Sequence, residues 1–427
     1  MLFIALAIGC FALSATPKAS GVVPAPDGGY PGFNTAEGQN ALLHLTTGTA
    51  NTAVGWLSLE NVTTASFNTG VGAGTLVLNS GNQNTATGAA ALLLNTTGGG
   101  NTANGALALL SNSTGTFNTA NGAFALHDNT TGIGNTASGN SALFSNTTGN
   151  GNTANGDSAL FSNTTGVGNT AIGGSALFIN TIGSHNTAVG ASALNVNTTS
   201  SGNVAIGYRA MESKTTGGDN TAVGVGALKN LSTGISNVAL GLDAGSNVTT
   251  ANNVIAIGIN VAGENVSGTC YIGNIFGVTS TGAAAVYVNS DGKLGTVVSS
   301  RRFKDEIKPM EKASEAILAL EPVTFRYKHE IDPTGSPQFG LVAEEVEKVN
   351  PDLVVRDAER KVNTVRYEAV NAMLLNEFLK EHRKVEKLET TVAALAATVN
   401  EQAAQLRRIS AQVQTNNFVA QLAVSNH

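Results

Sequence analysis

Charge is scarce over most of this 427-residue chain, and what there is collects at one end. Before residue 299 there are 5 Lys and Arg and 10 Asp and Glu; from Ser299 onward there are 18 and 19. A domain boundary near residue 299 follows. The long first part has no basic surface for phosphate backbones, and with a net charge of -6 no nucleic-acid partner is expected. The six His show no metal-ligand spacing, and no Walker or Rossmann glycine pattern is present, so neither a metal nor a cofactor is expected.

Long hydrophobic runs are missing too. The one apolar stretch, Leu2 to Leu13, is too short to span a bilayer and fits the h-region of a secretory signal peptide within residues 1–20. It lacks a basic n-region. Ala7-Ile8-Gly9-Cys10 loosely resembles a lipoprotein cleavage box, which leaves anchoring at Cys10 as an alternative. A secreted or cell-surface location with no further membrane span is expected. Cysteine is nearly absent: once a leader is removed only Cys270 remains, so no intrachain disulfide forms. A buried thiol is expected there.

What is present is repetition. Asn-Thr-Ala or a close variant begins at Asn34, Asn51, Asn68, Asn84, Asn101, Asn118, Asn135, Asn152, Asn169, Asn186, Asn203, Asn220, Asn237 and Asn253. The steps are of 17 residues except for two of 16. A Gly follows four residues after nearly every Asn, as at Gly173, Gly190, Gly207 and Gly224, and Ala-Leu usually comes next. Seventeen residues are too few for a helical hairpin and suit two short strands and two turns, one coil of a β-solenoid. Glycine and asparagine suit the left-handed corners. Ala171, Ile172, Ala176 and Leu177 are expected to point inward, and fourteen stacked coils make a rod roughly 65 Å long. So thin a core favours three chains side by side. Strict phasing argues against disordered low complexity. An ice-binding face on the Thr153, Thr170 and Thr187 column is a weaker alternative, because these threonines come singly.

The Asn-Thr-Ala-Ile-Gly and Asn-Val-Ala-Ile-Gly units, the latter from Asn203 to Gly207, resemble the head repeats of trimeric autotransporter adhesins over roughly residues 34–260. That resemblance implies a trimeric left-handed parallel β-roll. The unit here is longer than the usual head repeat, and the family's membrane-anchor barrel has no counterpart. Residues 261–298 are expected to form a β neck, with Asn289-Ser290-Asp291-Gly292 as a hairpin turn and Thr296-Val297-Val298 as an accessible strand.

Beyond Ser299 the pattern changes. Pro309 sits where a helix could start, with Ala313, Ile317, Leu318 and Leu320 at helical spacing. Val323 to Lys328 alternates as a strand, and Phe339 to Val346 reads as a strand running into a helix. From Tyr367 one long helix is expected. Phe378, Val385, Val392, Val399, Leu406 and Val413 take one heptad position; Leu374, Leu388, Leu395 and Ile409 take the other, with Glu381 and Gln402 as polar breaks. That pattern predicts a coiled coil over residues 371–415, its strand number left open.

The Ser-x-x-x-x-Lys opening at Ser299, the Phe339-to-Val346 segment, the Val365-Arg366-Tyr367 strand and the terminal coiled coil together resemble the endosialidase-type intramolecular chaperone, a self-cleaving peptidase family. The resemblance spans about 299–415, with an auto-processing domain expected over 299–370. It implies a homotrimer, a fold aided by the C-terminal part, and self-cleavage by a Ser–Lys dyad. By position Ser299 is the nucleophile, Lys304 its general base and Val298–Ser299 the scissile bond. A neutral amine serves as base where burial and neighbouring cations such as Arg301 or Arg302 favour its uncharged form. Ser300 stands where the family usually has an acidic residue, so which serine attacks stays open.

The fold class expected is therefore mainly β: a trimeric parallel β-roll or β-solenoid, then a small α+β chaperone domain ending in a coiled-coil helix. The function expected is a self-cleaving, single-turnover serine peptidase on an adhesin-like fibre that meets a host-surface or glycan receptor. Alternatives are a non-cleaving structural adhesin or a phage-type tail fibre. A glycan-degrading tailspike is disfavoured, since Asp157 and Glu212 sit in unrelated coils.

Overall fold

The computed structural model describes residues 30–213, 216–276, 284–289, 292–357 and 359–424. The expected leader, Cys10 included, lies outside the described residues. The chain divides into two compact units, residues 1–279 and 280–427.

In the first unit, strands β1 (Thr35–Glu37) to β14 (Ile255–Ile257), each of three residues, stack in chain order as one parallel sheet. The pairing keeps like on like: Thr170 lies between Thr153 and Thr187, and Ala171 between Ala154 and Ala188. This is a parallel β-solenoid. Each coil carries one strand, not the two expected; its other half is made of tight turns that still bond to the next coil, as Leu160 N–H does to Ala176 O at 2.9 Å.

The corners are not where asparagine was expected. Left-handed backbone falls on Ser175 (φ 55°) and Leu177 (φ 53°), with Gly173 at φ 129°. A Cβ on Gly173 would lie 2.6 Å from the carbonyl carbon of Gly190, so stacking demands glycine there. The repeat asparagines from Asn34 to Asn237 instead point inward and are buried, while Asn253 (φ 55°) is exposed at a left-handed corner. Asn169 Oδ1 accepts from Asn186 N–H at 3.0 Å, while Asn169 Nδ2 donates to Gly183 O at 2.8 Å. A second buried ladder runs through Asn163 and Asn180, with Nδ2 of Asn180 donating to Oδ1 of Asn163 at 2.7 Å. Among the described residues no buried side-chain nitrogen or oxygen lacks a partner.

Ala171, Ala176 and Leu177 are buried as expected, but Ile172 is 42% exposed. Strand alternation is the reason: with Ala171 facing in, Thr170 and Ile172 on either side face out. The last repeat is also re-phased. Val254, not Asn253, takes the ladder position, its N–H donating to Asn237 Oδ1 at 2.8 Å, so the 16-residue step there is really 17.

The sheet then continues past the expected end of the repeats. Cys270–Ile272 forms β15, paired with β14, and Cys270 is exposed rather than buried.

The second unit opens with an antiparallel hairpin, β16 (Val286–Val288) against β17 (Leu294–Thr296), around the expected turn. Ser290 and Asp291 lie outside the described residues. A 3₁₀ run, Glu311–Ala319, replaces the expected α-helix; Ile317 and Leu320 are half-buried, while Ala313 and Leu318 are exposed. Two further antiparallel pairs follow, β18 (Val323–Phe325) with β19 (Gln338–Gly340) and β20 (Val354–Arg356) with β21 (Val362–Val365). Helix α1 (Ala343–Val349) follows β19, and α2 runs over Tyr367–Val424. Val365 ends a strand and Tyr367 starts a helix, so the expected Val365-to-Tyr367 strand is cut by the turn at Arg366. Val346, Leu353, Val354, Val365 and Met373 form the small core.

Candidate functional site

Ser299 and Lys304 flank a single 3₁₀ turn, Arg301–Phe303, in the second unit. Phe303 N–H bonds to Ser300 O at 3.0 Å and Lys304 N–H to Arg301 O at 3.1 Å. Lys304 then leaves the turn in extended backbone, φ −128° and ψ 130°. The reversal returns its side chain to the start of the turn, where Lys304 Nζ donates to Ser299 Oγ at 3.1 Å. Ser300 sits at the turn's N-cap position without a side-chain cap bond. The Arg302 guanidinium lies over the Phe303 ring, 4.6 Å from its centroid, turned to its own neighbour.

Every residue from Arg301 to Pro309 is exposed, as are Ser299, Val297 and Val298. The segment that enters the turn is therefore open to solvent, and so is the Ser299–Lys304 pair.

A second polar cluster was not anticipated. Ser314, fully buried in the 3₁₀ run, donates to the Glu377 carboxylate on α2 and accepts from Asn376 Nδ2 at 2.7 Å. Lys380 Nζ lies 2.7 Å from Glu377 Oε1 and 3.5 Å from Glu315 Oε1. The Lys380 hydrogen bond, followed by that of Ser314, holds the Glu377 carboxyl below the ordinary carboxylate range. Glu377 in turn pushes Lys380 up. The cluster clasps the base of the long helix to the 3₁₀ run. Its only sequence trace is the Glu377/Lys380 spacing of three, which reads as an ordinary surface pair.

Above the clasp, an apolar groove of about 530 Å³ runs between Ile317, Val323, Phe339 and the helix residues Tyr367, Val370 and Leu374. Tyr367 Oη accepts from Leu341 N–H at 3.1 Å and ties the strand end to the helix start. From Leu374 outward the heptad positions are bare: Phe378, Val385, Leu388, Val392, Leu395, Val399, Leu406, Ile409 and Val413 are all exposed.

Among the described residues no His, Cys, Asp and Glu cluster could hold a metal, and no helix is long and apolar enough to cross a membrane. No curated protein matches the chain. Residues 299–355, which hold the turn, the clasp serine, strands β18 and β19 and the start of β20, match the family described as chaperone of endosialidase, here placed after a parallel β-solenoid.

Proposed function

We propose that the chain is a secreted homotrimeric fibre protein whose C-terminal unit assembles the fibre and then cuts itself away between Val298 and Ser299. The observation that carries this reading is the Lys304–Ser299 hydrogen bond at 3.1 Å, next to an open Val297-Val298 segment, in the part that matches the chaperone family.

The bare seam of α2 supports the assembly step. An apolar stripe at heptad spacing buries itself by zipping to other copies. Gathering three C-termini removes much of the entropy cost of registering solenoids that are near-identical every 17 residues and would otherwise slip by one coil.

In the cutting step the Ser299 Oγ attacks the Val298 carbonyl carbon. An O–C bond forms as the C–N bond breaks, and Lys304 takes the hydroxyl proton and passes it to the departing Ser299 amine. Water then opens the ester, leaving a carboxylate on Val298 and Ser299 as a new N-terminus. A lysine acts as base only when its uncharged form is favoured, which exclusion of water achieves. A neighbouring copy supplies that cover, so cutting waits for assembly. Release of the tail then traps the fibre kinetically, since unfolding cannot retrace the assembly route.

A denaturing gel of purified protein tests the reading. Wild type should run as two fragments and Ser299→Ala as one full-length band. Lys304→Ala should slow processing by about 100- to 10,000-fold. Processing that persists in Ser299→Ala while Ser300→Ala abolishes it moves the nucleophile to Ser300. An intact wild-type chain identifies a structural fibre that does not cut.

A further inference from the structure

Ten Asn-x-Ser/Thr triplets, the acceptor motif for N-linked glycan, lie in the chain, and the solenoid sorts them by one residue of register. Six begin at Asn95, Asn112, Asn129, Asn146, Asn163 and Asn197, all fully buried in the second ladder. Their amides are engaged: Asn129 Nδ2 donates to Asn112 Oδ1 at 2.7 Å and to Gly132 O at 3.2 Å, and Asn146 Nδ2 donates to Asn129 Oδ1 at 2.8 Å. Space is equally tight, since even a Cβ on Gly132 would collide with Asn129 Oδ1. In other coils Val62, Leu231 and Val248 take the ladder place, and there the triplet starts one residue earlier. Its asparagines, Asn61, Asn230 and Asn247, are exposed, as is Asn265 of the tenth triplet. The third residue of the buried triplets is not demanded by the stacking. The Asn180 coil has Ile182 there, exposed, and still makes the ladder bond from Asn180 Nδ2 to Asn163 Oδ1 at 2.7 Å.

We infer that the folded rod can carry N-linked glycan only on its outward asparagines, and that the same modification of the ladder asparagines before folding prevents the coils from closing. In the transfer, Asn Nδ2 bonds to the anomeric carbon of a lipid-pyrophosphate-linked oligosaccharide. The bond from that carbon to the pyrophosphate oxygen breaks, the pyrophosphate leaves with the electron pair, and the amide gives up one proton. A sugar on Asn129 therefore removes an N–H from the ladder and sets a bulky polar group where the next coil must stack. An unfolded chain presents all ten triplets alike, so a transferase that acts during translocation does not spare these six. The chain thus suits an export route on which it folds before it meets such an enzyme, or meets none. This narrows the secretion proposed above and holds whether or not the tail assembles or cuts.

The test sends the full chain, behind a eukaryotic signal sequence, into the endoplasmic reticulum, with and without an inhibitor of lipid-linked oligosaccharide synthesis. Protease-resistant, β-rich protein measures the rod, and peptide mass spectrometry maps the modified asparagines. Without the inhibitor the ladder triplets should carry glycan and the yield of rod should fall at least about ten-fold; the inhibitor should restore it. A chain with Thr97→Val, Thr114→Val, Thr131→Val, Thr148→Val, Thr165→Val and Thr199→Val, which lacks the six buried triplets, should form rod without the inhibitor and carry glycan on Asn61, Asn230 or Asn247. Wild-type rod that forms with glycan on the ladder asparagines overturns the inference. So does wild-type rod with the ladder bare and the outward sites filled, because the coils then close ahead of the transferase. Rod missing equally with and without the inhibitor overturns it as well, since glycan is then not the block.

Discussion

In the solenoid the ladder asparagines find their partners one coil away, whereas in the C-terminal unit a long apolar stripe stands in solvent. Asn152, Asn169 and Asn186 satisfy one another in series, and Leu160, Leu177 and Leu194 stack into one continuous core. On α2, by contrast, Leu388, Val392 and Leu395 are each about 60% exposed, and the unit's core rests on five buried apolar residues. A repeat supplies its own neighbour; a heptad seam needs another chain. The inward ladders of the first unit are thus satisfied within one polypeptide, whereas the seam of the second is left for the proposed assembly to cover.

The sharpest way to break that contrast is to charge the seam. Leu388→Glu with Leu395→Glu should convert the Ser299→Ala chain from one assembled species to single chains in sedimentation velocity. The far-ultraviolet β signal of the solenoid should be unchanged. Loss of solenoid structure in that variant would mean that the coils depend on the tail even once folded.

Next in size are changes inside the rod. Asn152→Ala strands the Asn169 backbone N–H, which otherwise donates to Asn152 Oδ1 at 2.9 Å; Asn135 Oδ1 loses the Asn152 Nδ2 bond but keeps that of the residue-152 backbone N–H at 3.0 Å. A buried orphan costs about 1–3 kcal/mol, and denaturant unfolding should show a loss of that order. Leu177→Ala should cost about 2–5 kcal/mol through its cavity. Neither should alter sedimentation mass. Should Asn152→Ala prove neutral, the ladder is an ornament of the fold, not its support.

The smallest expected effect is the pH response of the clasp. Glu377 is held below the ordinary carboxylate range, so its contribution is present above that range and is lost as pH falls through the lowered value. Lys380 is pushed up, so its contribution is lost only as pH rises through the raised value. The clasp is therefore at full strength near neutrality and weakens in acid. Melting of the helix signal followed against pH should show this acid loss, and Glu377→Gln should flatten it. An acid limb unchanged in Glu377→Gln would assign that loss to other carboxylates.

Much of this was legible in the chain. The Asn-Thr-Ala phase marks the start of thirteen of the first fourteen strands observed, because stacking forces every coil to reuse the same backbone path, although two strands per coil were expected and one is found. Tyr367 as the start of the long helix, and the turn after Val288, were equally plain. The asparagines were misread as corner residues because burial of an amide is costly in an ordinary core. A solenoid removes that cost by placing an identical amide one coil away, a fact of stacking that local preference does not encode. Ile172 was misplaced because a strand of three residues is too short for alternation to declare a face. The 3₁₀ run at Glu311–Ala319 and its clasp escaped notice because Ser314 and Glu377 are 63 residues apart and meet only in the folded unit. At the site, the five-residue spacing of Ser299 and Lys304 was visible, but not the single turn that folds one back on the other.

The central claim, that the tail seam gathers three copies, is tested most directly by sedimentation equilibrium on the full-length Ser299→Ala protein. A species of three chain masses that persists on dilution into the low micromolar range is the predicted result. A single-chain mass under the same conditions would contradict the account.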